Sequence, residues 1–121
     1  MEFSALTSGS SGNCFYIGDE KRAILIDAGI SAKQILEKLS SIGGDARKIK
    51  GIFITHEHID HIRGCDVLAR KLNVPVFATK DTIKNGFLCS DENLIKTIKR
   101  NSIININGFR VQAFSKSHGA A

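Results

Sequence analysis

The segment from Thr55 to His61 constrains this chain more than any other part of its sequence. It reads Thr-His-Glu-His-Ile-Asp-His and holds three of the four histidines among the 121 residues. The apolar run Gly51–Ile54 precedes it and has the composition of a buried strand, whereas Ile62–Leu72 has the pattern of a helix. Alternating strands and helices build α/β folds, whose ligand sites lie where strands end and helices begin. The segment therefore predicts an α/β fold with its functional site at this turn.

The residue types in this segment are those that bind divalent metal ions. Histidine and carboxylate side chains are good ligands for zinc, manganese and iron. If the backbone stays extended through His56 and His58, both rings point to one side and Glu57 points away. Asp60 and His61 follow at the helix start, so the segment can offer two ligands to each of two ions. A solvated polar loop is the alternative, but the H-x-H-x-D-H spacing favours a metal site.

The remaining pattern extends the α/β prediction along the whole chain. In chain order the other predicted elements are strands at Glu2–Thr7, Cys14–Ile17 and Ala23–Ile26, a helix from the Ser31 cap to Gly43-Gly44, a strand at Val74–Ala78, short helices around Asp81–Asn85 and Asp91–Ile98, and a hairpin of Ile103–Ile106 with Phe109–Phe114. The residues predicted to form the buried helix faces are Ile35, Leu36, Leu39 and Ile42, followed by Val67, Leu68 and Leu72.

Three further features carry alternative interpretations. The Gly/Ser turn Ser8–Asn13 can form an anion-binding nest of backbone amides, or can simply be a flexible connection. Asp27, at the end of a strand, can accept a hydrogen bond from a ligand histidine or cap the turn that follows it. His118 is the last histidine and follows the final predicted strand, which allows a ligand role.

The H-x-H-x-D-H motif after an apolar strand resembles the signature of the metallo-β-lactamase superfamily. Ser8–Asn13, Leu25–Gly29, Phe53–His58 and Ser117-His118 also occur in the order seen in its YycJ/VicX-like branch, also called WalJ. The resemblance covers essentially all of this chain but only the N-terminal part of such a protein. It implies a metallo-β-lactamase-like αββα sandwich, with residues 1–121 as the N-terminal half of a single domain truncated at its C-terminus.

The resemblance also implies a role for each residue of the site. His56, His58 and His118 would hold a first divalent ion, and Asp60 and His61 a second, the ions being zinc, manganese or iron. Asp60 would also act catalytically by orienting the attacking water, and Asp27 would support a ligand histidine. The residues implied to form a phosphate-binding loop near the active site are Ser10, Ser11, Gly12 and Asn13. Gly119 stands where relatives commonly have Asp, which leaves the surroundings of His118 in doubt.

The activity implied is hydrolysis of phosphodiester bonds in nucleic acid, expected to be DNA, by a 5′-to-3′ exonuclease with a dinuclear metal site. The motif alone equally fits a thioester or β-lactam hydrolase such as glyoxalase II. A third reading is a catalytically incomplete fragment, because the family's bridging Asp and last His lie beyond this sequence. Such a fragment would expose a sheet face, and we expect it to form a dimer or higher oligomer.

Composition limits the partners and the compartment. The net charge of +5 favours approach of a polyanion, although Lys96–Arg100, the densest basic run, is interpreted as a solvated face. No run of 18 apolar residues predicts a membrane span, and the N-terminus has no signal-peptide pattern. The three cysteines, Cys14, Cys65 and Cys89, are odd in number and widely spaced, which indicates free thiols in a reducing cytoplasm.

Overall fold

A computed structural model describes residues 2–9, 12–99, 103–106 and 108–112. The strands are β1 (Glu2–Thr7), β2 (Cys14–Gly18), β3 (Ala23–Ile26), β4 (Ile49–Phe53), β5 (Val76–Thr79), β6 (Ile95–Ile98), β7 (Ile103–Ile106) and β8 (Phe109–Gln112). The helices are α1 (Ala32–Ser41), α2 (Ile59–Ile62), α3 (Cys65–Leu72) and α4 (Lys80–Asn85), with short 3₁₀ turns at Ala46–Lys48 and Glu92–Leu94. No helix within these described ranges is long and apolar enough to cross a membrane.

Six strands form one mixed sheet in the order β1-β2-β3-β4-β5-β6. The first three strands pair antiparallel, and β3 through β6 pair parallel. Each parallel step is bridged by a helical connection, as parallel strands require. The carboxyl ends of β3, β4, β5 and β6 therefore meet along one edge of the sheet.

Helices α1 and α3 cover one face of this sheet. The capping box predicted at Ser31 is present, because its hydroxyl accepts from the Gln34 N–H while the Gln34 side chain accepts from the Ser31 N–H. Ile35 and Leu39 of α1 and Leu68 of α3 are at most 1% exposed, and they join the sheet residues in the main core. This periodic apolar stripe is what fixes the helices against the sheet.

The opposite face of the sheet is also apolar. Ile24 and Phe53 are buried at its centre, and the Phe53 and Phe77 rings stack with centroids 4.7 Å apart. The antiparallel hairpin of β7 and β8 packs Ile104 and Val111 against this face. The described layers are therefore helices, sheet and second sheet, which is the metallo-β-lactamase-like arrangement predicted from the sequence.

Several local predictions were wrong. Asp91–Ile98 is not a helix: after the 3₁₀ turn its residues form β6, whose β-branched side chains suit a strand paired with β5. The helix predicted through Ile62–Leu72 is interrupted at Gly64. Val67, predicted to be buried, is 52% exposed, and Ile42 is 49% exposed because it lies at the end of α1.

Candidate metal centre

The histidine segment lies at the carboxyl edge of the sheet, directly after β4. The Asp27 N–H donates to the Phe53 carbonyl oxygen at 2.7 Å, and the Ile54 N–H donates to the Phe77 carbonyl oxygen at 2.9 Å. These bonds align the ends of β3, β4 and β5. The side chains that follow each strand are thereby brought to one place, as expected for an α/β site.

Asp27 is the buried carboxylate of the site. It is 2% exposed and has a left-handed backbone with φ of 65°, which aspartate tolerates better than most residues. Its Oδ1 accepts the Thr55 N–H at 2.7 Å, and its Oδ2 accepts the Thr55 hydroxyl at 2.7 Å. The same Oδ2 accepts His61 Nδ1–H at 2.7 Å. A buried carboxylate with three donors is fully satisfied, and it leaves His61 Nε2 as the nitrogen with a free lone pair.

Thr55 extends this network to a second histidine. Because its hydroxyl donates to Asp27, its oxygen is available to accept His56 Nδ1–H at 2.9 Å. His56 Nδ1 is thus held within the same hydrogen-bond network as His61 Nδ1. Thr55 was not among the site residues predicted from the sequence. Its position directly before the first histidine was the available signal.

The candidate ligands form two neighbouring pairs. Asp60 Oδ2 lies 3.8 Å from His61 Nε2. Two ligands of one tetrahedral zinc, each about 2.0–2.1 Å from the ion, lie about 3.4 Å apart, so this pair is close to the spacing that one ion requires. The ring centroid of His56 lies 6.3 Å from that of His58 and 4.8 Å from that of His61. Histidine nitrogens and a carboxylate at these separations fit a divalent cation.

Within the described ranges, no three His, Cys, Asp or Glu side chains are arranged to hold one ion. The described residues therefore supply pairs of ligands, and each ion would need more. His118, the third ligand implied for the first ion, lies outside the described residues. The buried thiols of Cys14, Cys65 and Cys89 do not complete such a set among the described residues either.

Backbone contacts between three segments hold the second pair in place. The Asn13 N–H donates to the Asp60 carbonyl oxygen at 2.8 Å, and the Ala28 N–H donates to the His61 carbonyl oxygen at 2.8 Å. Gly29 lies so close to Asp60 that an added Cβ would collide with the Asp60 carbonyl oxygen. Glycine is required here because the two backbones touch.

The predicted phosphate-binding loop Ser8–Asn13 lies beside the candidate site, where two of its backbone amides can be described. The Gly12 N–H donates to the Gly9 carbonyl oxygen at 3.1 Å, and the Asn13 N–H is already bonded to Asp60. Both amides are thus bonded within the chain, and Ser10 and Ser11, the other residues of the predicted phosphate-binding loop, lie outside the described residues. Asn13 instead approaches the site with its side chain, whose Nδ2 lies 3.5 Å from His61 Nε2.

The layered fold and the paired histidine and carboxylate donors define this chain as part of a metal-dependent hydrolase fold. The chain belongs to the metallo-beta-lactamase superfamily, whose sequence profile matches residues 7–108. The resemblance stated from the sequence is thus confirmed at the family level.

The relatives agree with the exonuclease branch. The chain is 35% identical over 126 residues to "Exodeoxyribonuclease YycJ" of Bacillus anthracis, covering 100% of this chain and 47% of that protein. It is 46% identical over 82 residues to "Exodeoxyribonuclease WalJ" of Streptococcus pneumoniae, covering 68% of this chain and 30% of that protein. The chain thus spans less than half the length of these relatives.

The fold is shared with a solved metallo-beta-lactamase. The SMB-1 structure superposes with a TM-score of 0.73 at 16% identity, covering 87% of this chain and 47% of that one. At this identity the likeness concerns the fold alone.

Proposed function

We propose that the protein formed by this chain is a metal-dependent nuclease that hydrolyses phosphodiester bonds, acting on DNA from the 5′ end. The observation that carries the proposal is the buried Asp27 carboxylate, which directs His61 Nε2 toward Asp60 at the carboxyl edge of the sheet. The similarity to exodeoxyribonucleases of Bacillus anthracis and Streptococcus pneumoniae supports the nucleic-acid substrate. The net charge of +5 supports a polyanionic partner.

The residues implied by the resemblance would hold two divalent ions, zinc or manganese or iron. His56, His58 and His118 would hold the first, and Asp60 and His61 the second. When bound, such ions polarise a phosphoryl oxygen and lower the pKa of water toward about 7.

The chain's own residues position the reactants. Asp27 holds the proton of His61 on Nδ1, so the His61 ring presents Nε2 toward Asp60, while Thr55 fixes the position of His56 Nδ1. Asp60 is proposed to accept a hydrogen bond from the attacking water and orient it in line with the leaving oxygen. A water aligned in this way attacks without a separate reorganisation step.

Two further properties belong to the proposal. The three cysteines are free and buried, which is consistent with a reducing cytoplasm. Association into a dimer or higher oligomer is supported by apolar exposure on the sheet, where Phe3 is 65% exposed. Sedimentation velocity of the 121-residue chain would measure it directly.

A substrate panel tests the function. The protein is stripped with chelator, reloaded with manganese or zinc, and assayed on end-labelled single-stranded DNA, single-stranded RNA, lactoylglutathione and nitrocefin. We expect metal-dependent release of short products from the 5′ end of DNA, lost in Asp60→Asn. Rapid thioester or β-lactam hydrolysis without cleavage of either nucleic acid would replace the proposal by the other hydrolase class.

A further inference from the structure

The loop after α4 brings an exposed aromatic side chain beside the histidine segment. A Cβ added to Gly86 would lie 2.7 Å from the Glu57 Cβ and 3.4 Å from its Cα, so the two backbones touch. Since consecutive Cα atoms are 3.8 Å apart, the Cα of Phe87 lies within about 9 Å of the Cα of Glu57. Glu57 stands between His56 and His58, so the loop that carries Phe87 runs beside the histidine segment, on the side that the Glu57 side chain faces.

The loop is fixed at both ends. At the near end, the Gly86 N–H donates to the Thr82 carbonyl oxygen at 3.0 Å and closes α4. At the far end, Asp66 Oδ1 accepts the Ser90 N–H at 2.7 Å and its hydroxyl at 3.0 Å. Between these anchors, Leu88 and Cys89 are 2% and 4% exposed. A loop held in this way presents whatever it exposes in a defined position.

Phe87 is the residue that this anchored loop exposes. Its exposed fraction is 64%, although its two successors in the loop are buried. It borders an open groove of about 420 Å³ that Ile83, Ile95 and the acidic Glu92 also line, whereas Lys80 and Lys84 lie outside that lining. A groove of that volume lies within the range of small-ligand sites, so a planar ring has room to lie against Phe87.

Two lysines lie on α4, the helix that precedes this loop. Lys80 and Lys84 are exposed and stand four positions apart in α4, which places them on one face of the helix. Neither forms an ion pair with a carboxylate of the residues that the structure describes. An accessible aromatic ring together with lysines is the combination that binds single strands, through base stacking and phosphate contacts.

We propose that Phe87 stacks on a nucleobase of a single-stranded nucleic acid whose phosphates are drawn to Lys80 and Lys84. This inference rests on the proposed nuclease function and names the surface that receives the strand next to the cleavage site. Helix α4 and the loop to Ser90 then form a strand-binding surface that is separate from the metal ligands.

The test is binding of a fluorescein-labelled oligothymidylate, measured by fluorescence anisotropy in EDTA so that no cleavage occurs. Loss of one stacking contact is expected to weaken binding of Phe87→Ala by about 5- to 20-fold. Phe87→Trp keeps a stacking surface and is expected to bind as the wild type does, whereas Phe87→Leu, apolar but without a ring, is expected to resemble the alanine variant. Ile42→Ala is the control, because Ile42 is an apolar residue that is 49% exposed but lies at the end of α1.

A second oligonucleotide with abasic spacers separates stacking from other causes. Wild type and Phe87→Ala should bind this abasic strand equally. If the alanine variant does not fold, the comparison of Phe87→Leu with Phe87→Trp shows whether binding needs an aromatic ring. Unimpaired binding by Phe87→Leu, or an equal loss on the abasic strand, overturns the assignment of Phe87. In that second case Phe87 would support the shape of the loop rather than stack on a base. A wild-type protein that neither binds nor cleaves single strands overturns the nuclease proposal as well.

Discussion

Replacing Asp27 by Asn tests how the buried carboxylate controls the candidate ligands. The amide keeps the shape but turns one of the two acceptor oxygens into a donor. Whichever way the amide is oriented, one side of the network then has donors facing each other. The Thr55 N–H cannot turn away, whereas a hydroxyl and an imidazole can exchange donor and acceptor roles. The favoured amide orientation is therefore the one in which Oδ1 still accepts the Thr55 N–H and His61 changes its tautomer.

The consequence is a proton on His61 Nε2, the nitrogen proposed to bind the metal. We expect the affinity for zinc to fall by about 10- to 100-fold, as for other changes of residues that support metal ligands. All three hydrogen bonds lose their charged acceptor, and two of them lose the acceptor atom itself, so the metal-free protein should be destabilised by about 2–4 kcal/mol. Nitrogen-15 NMR of the His61 ring in the metal-free protein reports the tautomer, and calorimetric titration reports the affinity.

Asp66→Asn is the matched control for this prediction. Its carboxylate accepts four hydrogen bonds, from Arg70 and Ser90, but lies on α3 away from the histidines. It should change stability without changing metal affinity. If Asp27→Asn keeps the proton on His61 Nδ1 and binds zinc as the wild type does, the proposed control of the tautomer is wrong.

Three further predictions concern stability and ligand support. Gly29→Ala should lower the free energy of unfolding by about 1–3 kcal/mol, measured in urea, because its Cβ collides with Asp60. Thr55→Val should lower metal affinity and stability while Thr55→Ser retains both, since serine keeps the hydroxyl; equal losses in both variants would contradict this. The hydrogen bonds from Arg70, the largest cause, hold the pKa of Asp66 well below its usual range. A lowered pKa stabilises the fold above about pH 4, so wild type and Asp66→Asn should differ by about 1 kcal/mol at pH 7 and converge as the pH falls below 4.

Local sequence pattern was sufficient for most of the fold but not for elements fixed by distant contacts. Strands at Cys14–Gly18 and Val76–Thr79 carry alternating or continuous apolar runs, and α1 carries its own capping box. The local pattern was not sufficient for Ile95–Ile98, because its two isoleucines, three positions apart, fit a helix as well as a strand. Its pairing with β5 decides the outcome, and pairing between strands is not visible in a short window.

The break between α2 and α3 has a similar origin. Gly64 lies against the backbone of Ile30, where a Cβ would collide with the carbonyl oxygen, and its N–H donates to the Ala28 carbonyl oxygen at 2.8 Å. The contact joins positions more than thirty residues apart in the sequence. A lone glycine within a helical sequence pattern does not indicate such a long-range contact.

The candidate site shows the same division. Spacing identified His56, His58, Asp60 and His61, because ligands within one short segment leave a local pattern. For Asp27 the sequence left two roles open, and the structure shows its carboxylate bonded to His61 and Thr55 across the sheet edge. The metal-ligand roles of His56, His58, Asp60 and His61 stay predictions.

Metal content is the measurement that tests the central claim most directly. Untagged protein purified without chelator is analysed by inductively coupled plasma mass spectrometry, beside the His56→Ala/His58→Ala double variant. The account predicts zinc, manganese or iron in the wild type, and metal at background level in a folded double variant, because two ligands of one ion are removed together. Full metal content in the double variant would show that these histidines do not form a metal centre.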